Sequence, residues 1–249
     1  MTSVSFNLIV AATPDGGIGY NGDMPWRLPS DLDYFMRITT SFRRSSRAPL
    51  PYPSVSSAHE LQTVTAHSDS QLNESVQANL NVVIMGRKTW FSIPKKFRPL
   101  QNRINVVLTS NESLKQEIVS ESTPTSPVYV FSDFQEALAS ISTGKSPIGS
   151  IFVMGGSQLY QSALYNPQCQ IVFLTRVERL ASTLQDTESK NTAIQCDTFI
   201  PSIPTDTFRE LGSKEIIEML GPNVNLSQQS CGKFTFKHQV YVRNTSTLV

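Results

Sequence analysis

Six short runs of apolar, mostly β-branched residues recur along the chain, and few of them alternate with polar residues. Such runs are typical of strands that are buried on both faces of a parallel sheet. They lie at residues 6–12, 81–85, 104–109, 128–131, 151–154 and 171–175. Helical patterns lie between them at residues 30–40, 88–92, 133–141 and 157–164. Alternating strands and helices predict βαβ units with right-handed crossovers.

The last part of the chain has a different pattern. Residues 208–217 and 234–243 alternate apolar and polar positions more regularly, and we predict no helix between them. They are expected to form an antiparallel pair at one edge. The predicted fold class is therefore α/β, with a single mixed, mostly parallel sheet, flanking helices and an antiparallel C-terminal edge.

Two polar segments interrupt the pattern, at about residues 41–79 and 178–196, and both are rich in Ser, Thr, Gln or Asn. Segments of this composition bury too little apolar surface to order themselves strongly. The strands on either side continue the same pattern. We therefore expect surface insertions in a single domain that spans residues 1–249.

Charge and cysteine content narrow the classes of function. The 21 basic and 20 acidic residues give a net charge of +1, which argues against nucleic acid or an anionic membrane as a partner. Cys169, Cys196 and Cys231 show no metal-binding or disulfide spacing, so we expect no metal. No apolar run is long enough to span a bilayer. The expected location is the cytoplasm.

The first predicted helix carries an acidic residue on its apolar face. Ser30 and Asp33 fit a capping box, which predicts Ser30 as the N-cap. Helical spacing places Asp31 on the same face as Tyr34 and Ile38, so its carboxylate should point towards the sheet. A buried carboxylate is costly without a partner. Burial would raise its pKa, whereas hydrogen-bond donors or a cationic ligand would lower it.

A glycine-rich loop precedes this helix and ends at Trp26, a large flat side chain with one hydrogen-bond donor. Its glycines permit positive φ and changes of shape, which suits a lid over a site, although a tight structural turn is the alternative. These glycines are Gly16, Gly17, Gly19 and Gly22.

Two buried strands each run through glycine into a helix. The first continues as Gly86-Arg87-Lys88-Thr89, which places two cations where free N–H groups already favour an anion such as phosphate. Solvated surface charge is the alternative for Lys88. The second continues as Gly155-Gly156-Ser157, where backbone can approach a ligand closely at the carboxyl edge of the sheet. Two such junctions would suit the pyrophosphate and terminal phosphate of one dinucleotide.

Taken in chain order, these and neighbouring motifs resemble dihydrofolate reductase, most strongly its eukaryotic, fungal-type members. The motifs are GIG (17–19), DMPW (23–26), IMGRKTWFSIP (84–94), RPLQNRIN (98–105), VMGGSQLY (153–160), LTR (174–176) and DTFIP (197–201). The resemblance covers most of the chain outside the two insertions and the tail after about residue 220.

The resemblance implies that the chain reduces 7,8-dihydrofolate with NADPH, transferring a hydride from nicotinamide C4 to pterin C6 and protonating N5. Asp31 would bind the pterin N3 and 2-amino edge with support from Thr175, and Arg103 would bind the α-carboxylate of the folate glutamate. The implied catalytic residues are Asp31, Trp26 and Thr175. The implied substrate-binding residues are Ile9, Val10, Asp31, Leu32, Phe35, Ile93, Leu100, Arg103 and Thr175.

The resemblance also implies a cofactor site in which the Gly155–Gly156 peptide is cis. The residues implied are Ala11, Ile18, Gly19, Gly86, Arg87, Lys88, Thr89, Thr109, Ser110, Gly155, Gly156, Ser157, Gln158 and Tyr160. Ser110 replaces an arginine found in vertebrate members, so selection of NADPH over NADH would depend more on Arg87 and Lys88.

Several alternatives remain open at the level of sequence. Asp31 could protonate N5 directly, or stay ionised while water delivers the proton. A reductase of riboflavin synthesis would share the sheet and the cofactor edge, and a non-catalytic dinucleotide- or folate-binding protein could share the whole fold. For the reductase we expect a monomer whose partner is the small-molecule substrate.

Overall fold

The computed structural model describes residues 4–43, 80–144, 147–180 and 193–244. The strands are β1 (Phe6–Ala12), β2 (Gly17–Gly19), β3 (Asn81–Gly86), β4 (Arg103–Leu108), β5 (Val128–Phe131), β6 (Ile151–Val153), β7 (Cys169–Arg179), β8 (Thr198–Phe199), β9 (Phe208–Glu210), β10 (Gln229–Cys231) and β11 (Phe234–Arg243). The α-helices are α1 (Pro29–Ser41), α2 (Arg87–Ser92), α3 (Glu112–Ser120), α4 (Phe134–Thr143), α5 (Ser157–Leu164) and α6 (Ser213–Leu220), and a short 3₁₀ helix spans Lys95–Phe97.

Within the described ranges, one nine-stranded sheet organises the fold, with the order β10-β11-β7-β1-β6-β3-β4-β5 and with β9 paired to β11. All pairs from β7 to β5 in this order are parallel. Strand β11 runs antiparallel to β7, β9 and β10. The predicted fold class is therefore confirmed, including the antiparallel C-terminal edge.

The two faces of the sheet carry two separate apolar clusters because alternate residues of a strand point to opposite sides. On one face, Leu8 and Val10 of β1 pack with helices α4 and α5. On the other, Ile9 packs with α1, α2, α3 and α6. Helices on both faces explain why the central strands have continuous apolar sequences.

The C-terminal part of the chain contains a helix that the sequence analysis did not predict. Residues 208–217 were expected to belong to an antiparallel pair with no helix before residue 234, but β9 ends at Glu210 and α6 spans Ser213–Leu220. Glu215 accepts a hydrogen bond from the N–H of Gly212 at 3.0 Å, which stabilises the first turn of α6. Helix α6 is amphipathic and buries Ile216 and Leu220, spaced four residues apart.

The predicted N-cap of α1 was also wrong. The helix begins at Pro29 with Leu28 as the N-cap residue, and no side chain in the described part of the chain caps it. Proline favours the first helical position because its fixed φ suits the helix and its missing N–H would have no helical partner there. Helix α3, which follows an Asn111 cap, was missed.

The predicted limits of the insertions need adjustment. Helix α1 continues through Ser41, and β7 continues to Arg179, which pairs with Phe234 of β11. Most of both predicted insertions, at residues 44–79 and 181–192, lies outside the described residues. Among the helices described, none has the length and apolar content needed to cross a membrane.

Candidate active site

Asp31 lies in the first turn of α1 and its side chain is only 15% exposed. The hydroxyl of Thr175, on β7, donates a hydrogen bond to Asp31 Oδ1 at 2.6 Å. Burial raises the pKa of the Asp31 carboxyl, and the Thr175 hydrogen bond opposes that rise. The Asp31 carboxyl therefore stays protonated to a higher pH than an exposed aspartate would.

A histidine that the sequence analysis did not single out lies behind this pair. His238 on β11 is buried, and its Nδ1 is 3.1 Å from Thr175 Oγ1 and 3.8 Å from Asp31 Oδ1. Its ring stacks on Tyr34 with centroids 3.8 Å apart. Burial and, secondly, the charge of Arg37 lower the pKa of His238 to about 4, so the ring is neutral near neutral pH.

Trp26 is buried beside the same part of the sheet. It packs with Val177, two residues beyond Thr175 on β7, and with Ala11 at the end of β1. Its indole Nε1 is buried and has no hydrogen-bond partner among the described residues. A buried N–H without a partner costs about 1–3 kcal/mol, so this donor is suited to a ligand or a water molecule at the site.

The apolar residues predicted to bind substrate do not all lie together. Phe35, Ile93 and Leu100 are half-buried against the cluster that contains Ile9, so the structure brings these four together. Val10 belongs to the cluster on the opposite face of the sheet, so its side chain does not join them.

Leu32 lies on α1 one residue after Asp31 and is 45% exposed. It is a large apolar side chain left partly open to solvent beside the acid.

Arg103 begins β4 and is only 3% exposed. Its guanidinium donates to Thr39 Oγ1 at 2.7 Å and to the Gln101 carbonyl at 2.9 Å, and it lies over the Phe35 ring. Among the described residues, no carboxylate lies within ion-pair distance of it. Burial lowers the pKa of Arg103 to about 10. A buried cation in this situation is suited to an anionic ligand.

The carboxyl ends of β3 and β6 meet at two glycine junctions. The Gly155–Gly156 peptide is cis, and the Gly86 N–H donates to the Gly155 carbonyl at 2.7 Å. Gly155 has φ +120°, and a Cβ there would lie 3.2 Å from Thr89 Oγ1 and 3.3 Å from the Tyr160 ring. Only glycine fits this position without strain. The junctions therefore form a cradle of bare backbone.

The other predicted cofactor residues surround this cradle or lie at the next strand end. Tyr160 is buried and donates to the Ile9 carbonyl at 2.8 Å, whereas Thr109, after β4, is buried and accepts from the Asn111 N–H at 3.1 Å. The side chains that remain exposed are Arg87, Lys88, Ser110 and Gln158.

The glycine-rich loop is attached to the segment around β8. Strand β2 pairs with β8, the Ile200 N–H donates to the Gly16 carbonyl at 2.9 Å, and the Asn21 N–H donates to Asp197 at 2.7 Å. Ser157, at the start of α5, donates to the Phe199 carbonyl. These contacts bring Ile18 and Gly19 to the side of the glycine cradle. That the loop acts as a lid stays a prediction.

Comparison with known proteins identifies the family. The model of a family described as dihydrofolate reductase matches residues 5–43 and 75–223. The chain belongs to the dihydrofolate reductase family. The dihydrofolate reductase of Heliothis virescens is 33% identical over 216 residues, which are 87% of this chain and 89% of that protein. The dihydrofolate reductase of Drosophila melanogaster is 31% identical over 206 residues, 83% of this chain and 84% of that protein.

A plant relative is longer. Bifunctional dihydrofolate reductase-thymidylate synthase 2 of Arabidopsis thaliana is 31% identical over 207 residues, which are 82% of this chain but 28% of that protein.

The family match leaves out an internal segment and the C-terminal strands of this chain. The gap at residues 44–74 falls within the first predicted insertion. The match also ends at residue 223, before β10 and β11, so His238 lies outside the matched residues. The signal that could have found His238 is its place in an alternating strand, where it occupies the same phase as the buried Phe236 and Val240.

Proposed function

We propose that this protein reduces 7,8-dihydrofolate to 5,6,7,8-tetrahydrofolate with NADPH. The observation that carries the proposal is the combination, in a chain of this family, of a buried carboxyl at Asp31 and a buried guanidinium at Arg103 that has no described carboxylate partner. A riboflavin-synthesis reductase and a non-catalytic binding protein are disfavoured by the family match and by the retained acid.

Asp31 and Arg103 are proposed to hold the two polar ends of the substrate. The Asp31 carboxylate accepts hydrogen bonds from the N3 and 2-amino groups of the pterin, and Thr175 holds it in place. Arg103 binds the α-carboxylate of the glutamate through its planar fork. The apolar side chains of Phe35, Ile93 and Leu100 lie in the same cluster and suit the rings in between.

The glycine cradle suits a nicotinamide dinucleotide, because Gly86, Gly155 and Gly156 leave backbone open to close approach. Arg87 and Lys88 are exposed at the start of α2, where they can bind the 2′-phosphate that distinguishes NADPH from NADH. When bound, the nicotinamide supplies the hydride that the pterin C6 accepts.

Asp31 is the proposed centre for control of the proton. Its raised pKa brings the neutral carboxyl closer to working pH, and its ionised form makes a bound pterin more basic at N5. Closure of the glycine-rich loop over the site would exclude bulk water, which strengthens both effects.

The test is the near-ultraviolet absorbance of NADPH during incubation with dihydrofolate, repeated with NADH. Wild-type protein should oxidise NADPH only when dihydrofolate is present. Arg87→Ala with Lys88→Ala should raise the KM for NADPH about tenfold or more while leaving the KM for NADH nearly unchanged, because only the 2′-phosphate contacts are lost. Absence of dihydrofolate-dependent NADPH oxidation would refute the function, and an equal effect on both cofactors would refute the role of the two cations.

We further propose that residues 1–249 form a single reductase domain, which acts as a monomer in the cytoplasm. Its partner is a small molecule rather than nucleic acid or a membrane, in keeping with the net charge of +1. The relatives named above come from insects and a plant, so they support a eukaryotic-type reductase, and the fungal-type assignment stays a prediction.

A further inference from the structure

Three polar groups form a continuous chain behind the candidate active site. His238 Nδ1 is 3.1 Å from Thr175 Oγ1, and Thr175 Oγ1 is 2.6 Å from Asp31 Oδ1. The three residues come from β11, β7 and α1. His238 and Thr175 are each only 3% exposed, so bulk water does not compete strongly for these bonds.

Counting protons determines which of these three groups donate and which accept. An ionised Asp31 can only accept, so the single hydroxyl proton of Thr175 must point to it. Thr175 Oγ1 can then interact with His238 only as an acceptor, which requires the proton of the neutral imidazole to be on Nδ1. The opposite tautomer, with its proton on Nε2, would present a lone pair to Thr175 and compete with Asp31 for the same hydroxyl proton.

We infer that His238 is a positioning residue for Asp31: its Nδ1–H donates to Thr175, directs the threonine hydroxyl proton to the carboxylate and so stabilises ionised Asp31. The inference deepens the proposed function, because ionised Asp31 is the form that binds the pterin edge. No direct contact between His238 and substrate is needed.

The surroundings favour a neutral, donating imidazole. From α1, the charged groups facing the ring are Asp31 and Arg37, and Tyr34 stacks on it. From β11, Phe236 meets it edge-on. The nearby cation and the burial both oppose a protonated imidazolium, so the ring contributes a directed N–H rather than a charge.

Packing alone does not require a histidine at this position. The ring lies between Tyr34 and Phe236, and a phenyl ring could make the same stacked and edge-on contacts without the cost of burying two ring nitrogens. What phenylalanine cannot supply is the hydrogen bond to Thr175. The polar contact is therefore the property that distinguishes histidine here.

The first measurement is the tautomer of His238 in the ligand-free protein, read by nitrogen NMR after labelling of histidine. The chain has three histidines, and loss of one set of signals in His238→Phe assigns the relevant ring. We expect the proton on Nδ1 at neutral pH. A proton on Nε2 under these conditions would overturn the inference.

The second measurement compares two variants by carbon NMR of the Asp31 carboxyl, assigned with Asp31→Asn. His238→Phe keeps the ring packing but loses the donor, so the titration midpoint of Asp31 should move to higher pH. His238→Asn keeps a donor, because its amide nitrogen, like Nδ1, is attached to Cγ, so the midpoint should stay near that of the wild type. Equal midpoints in wild type and His238→Phe would overturn the inference.

Stability and activity should rank these variants in opposite orders. His238→Phe should have the higher Tm because it retains aromatic packing, whereas His238→Asn should retain kcat/KM for dihydrofolate within about twofold. In His238→Phe, kcat/KM should fall about threefold to tenfold near neutral pH, the loss expected for one hydrogen bond. A purely structural role predicts that activity follows Tm, and that result would also overturn the inference.

The proposed function can fail separately. If the protein does not reduce dihydrofolate, that function is refuted, while both NMR measurements on the ligand-free protein still decide the role of His238.

Discussion

Replacing Asp31 with asparagine should change the stability and the turnover of this protein in opposite directions. The substitution is nearly isosteric and keeps an acceptor for the Thr175 hydroxyl, but it removes the charge. In the folded protein, desolvation outweighs the Thr175 hydrogen bond, and the pKa of Asp31 is raised above the value of an unfolded chain. The folded state therefore binds the carboxyl proton more tightly than the unfolded state does.

The sign of the pH dependence follows from this difference. Ionisation of Asp31 costs no folding free energy below the pKa of the unfolded chain, about 4. The cost grows as pH rises between the unfolded and folded pKa values and is complete above the folded value. Asp31→Asn should therefore match wild type in stability at low pH and exceed it at about pH 8.

Thermal unfolding across a pH series measures this effect. For a domain of this size, each 1 kcal/mol of added stability raises the Tm by about 2–4 °C, so the expected gain is an upward shift of Tm that appears only at the higher pH values. Turnover with NADPH and dihydrofolate should fall by about a hundredfold or more, the range expected for loss of a group that controls a proton. Asp33→Asn, an exposed acid on the same helix, is the matched control and should change neither property.

Two results would refute this reasoning. If Asp31→Asn is less stable than wild type by the same amount at every pH, the carboxylate is not destabilising when ionised. If Asp31→Asn keeps full turnover, the acid does not act in the reaction, although the fold would be unaffected.

Two further substitutions test the substrate and cofactor ends of the site. Arg103→Ala should raise the KM for dihydrofolate about tenfold to a hundredfold with little change in kcat, because a charge-assisted pair is worth about 1.5–3 kcal/mol. Steady-state kinetics measure this, and the KM of Arg103→Lys should lie between those of wild type and Arg103→Ala. A fall in kcat alone would contradict the assignment. Gly155→Ala should destabilise the protein by about 1–3 kcal/mol and weaken NADPH binding, because φ is +120° and the new Cβ meets Thr89 and Tyr160. Gly232→Ala is the control, since φ is +57° and a Cβ there meets nothing within 4 Å. Its Tm should fall less than that of Gly155→Ala, and its NADPH binding, measured by titration, should be unchanged. Equal losses of Tm and of NADPH binding in the two variants would argue against a cradle at Gly155.

Some of the sequence predictions succeeded because the signal was local. Strand β1 and helix α5 have the predicted bounds, since a continuous apolar run and a helical apolar face are properties of neighbouring residues. Helix α6 was missed because its eight residues bury only Ile216 and Leu220 and follow a short alternating segment. The start of α1 was misplaced because Ser30 and Pro29 both carry helix-start signals, and proline prevailed.

The sequence by itself therefore determined the class of the fold, the order of most of its elements and the acid on the apolar face of α1. The family resemblance implied Thr175 beside that acid, whereas only the tertiary structure added His238 to the group. Thr175 is 144 residues from Asp31, and His238 is a further 63 residues along the chain. Their meeting depends on the pairing of β11 with β7 and on the docking of α1 against the sheet, and such non-local contacts leave no periodic trace in the sequence.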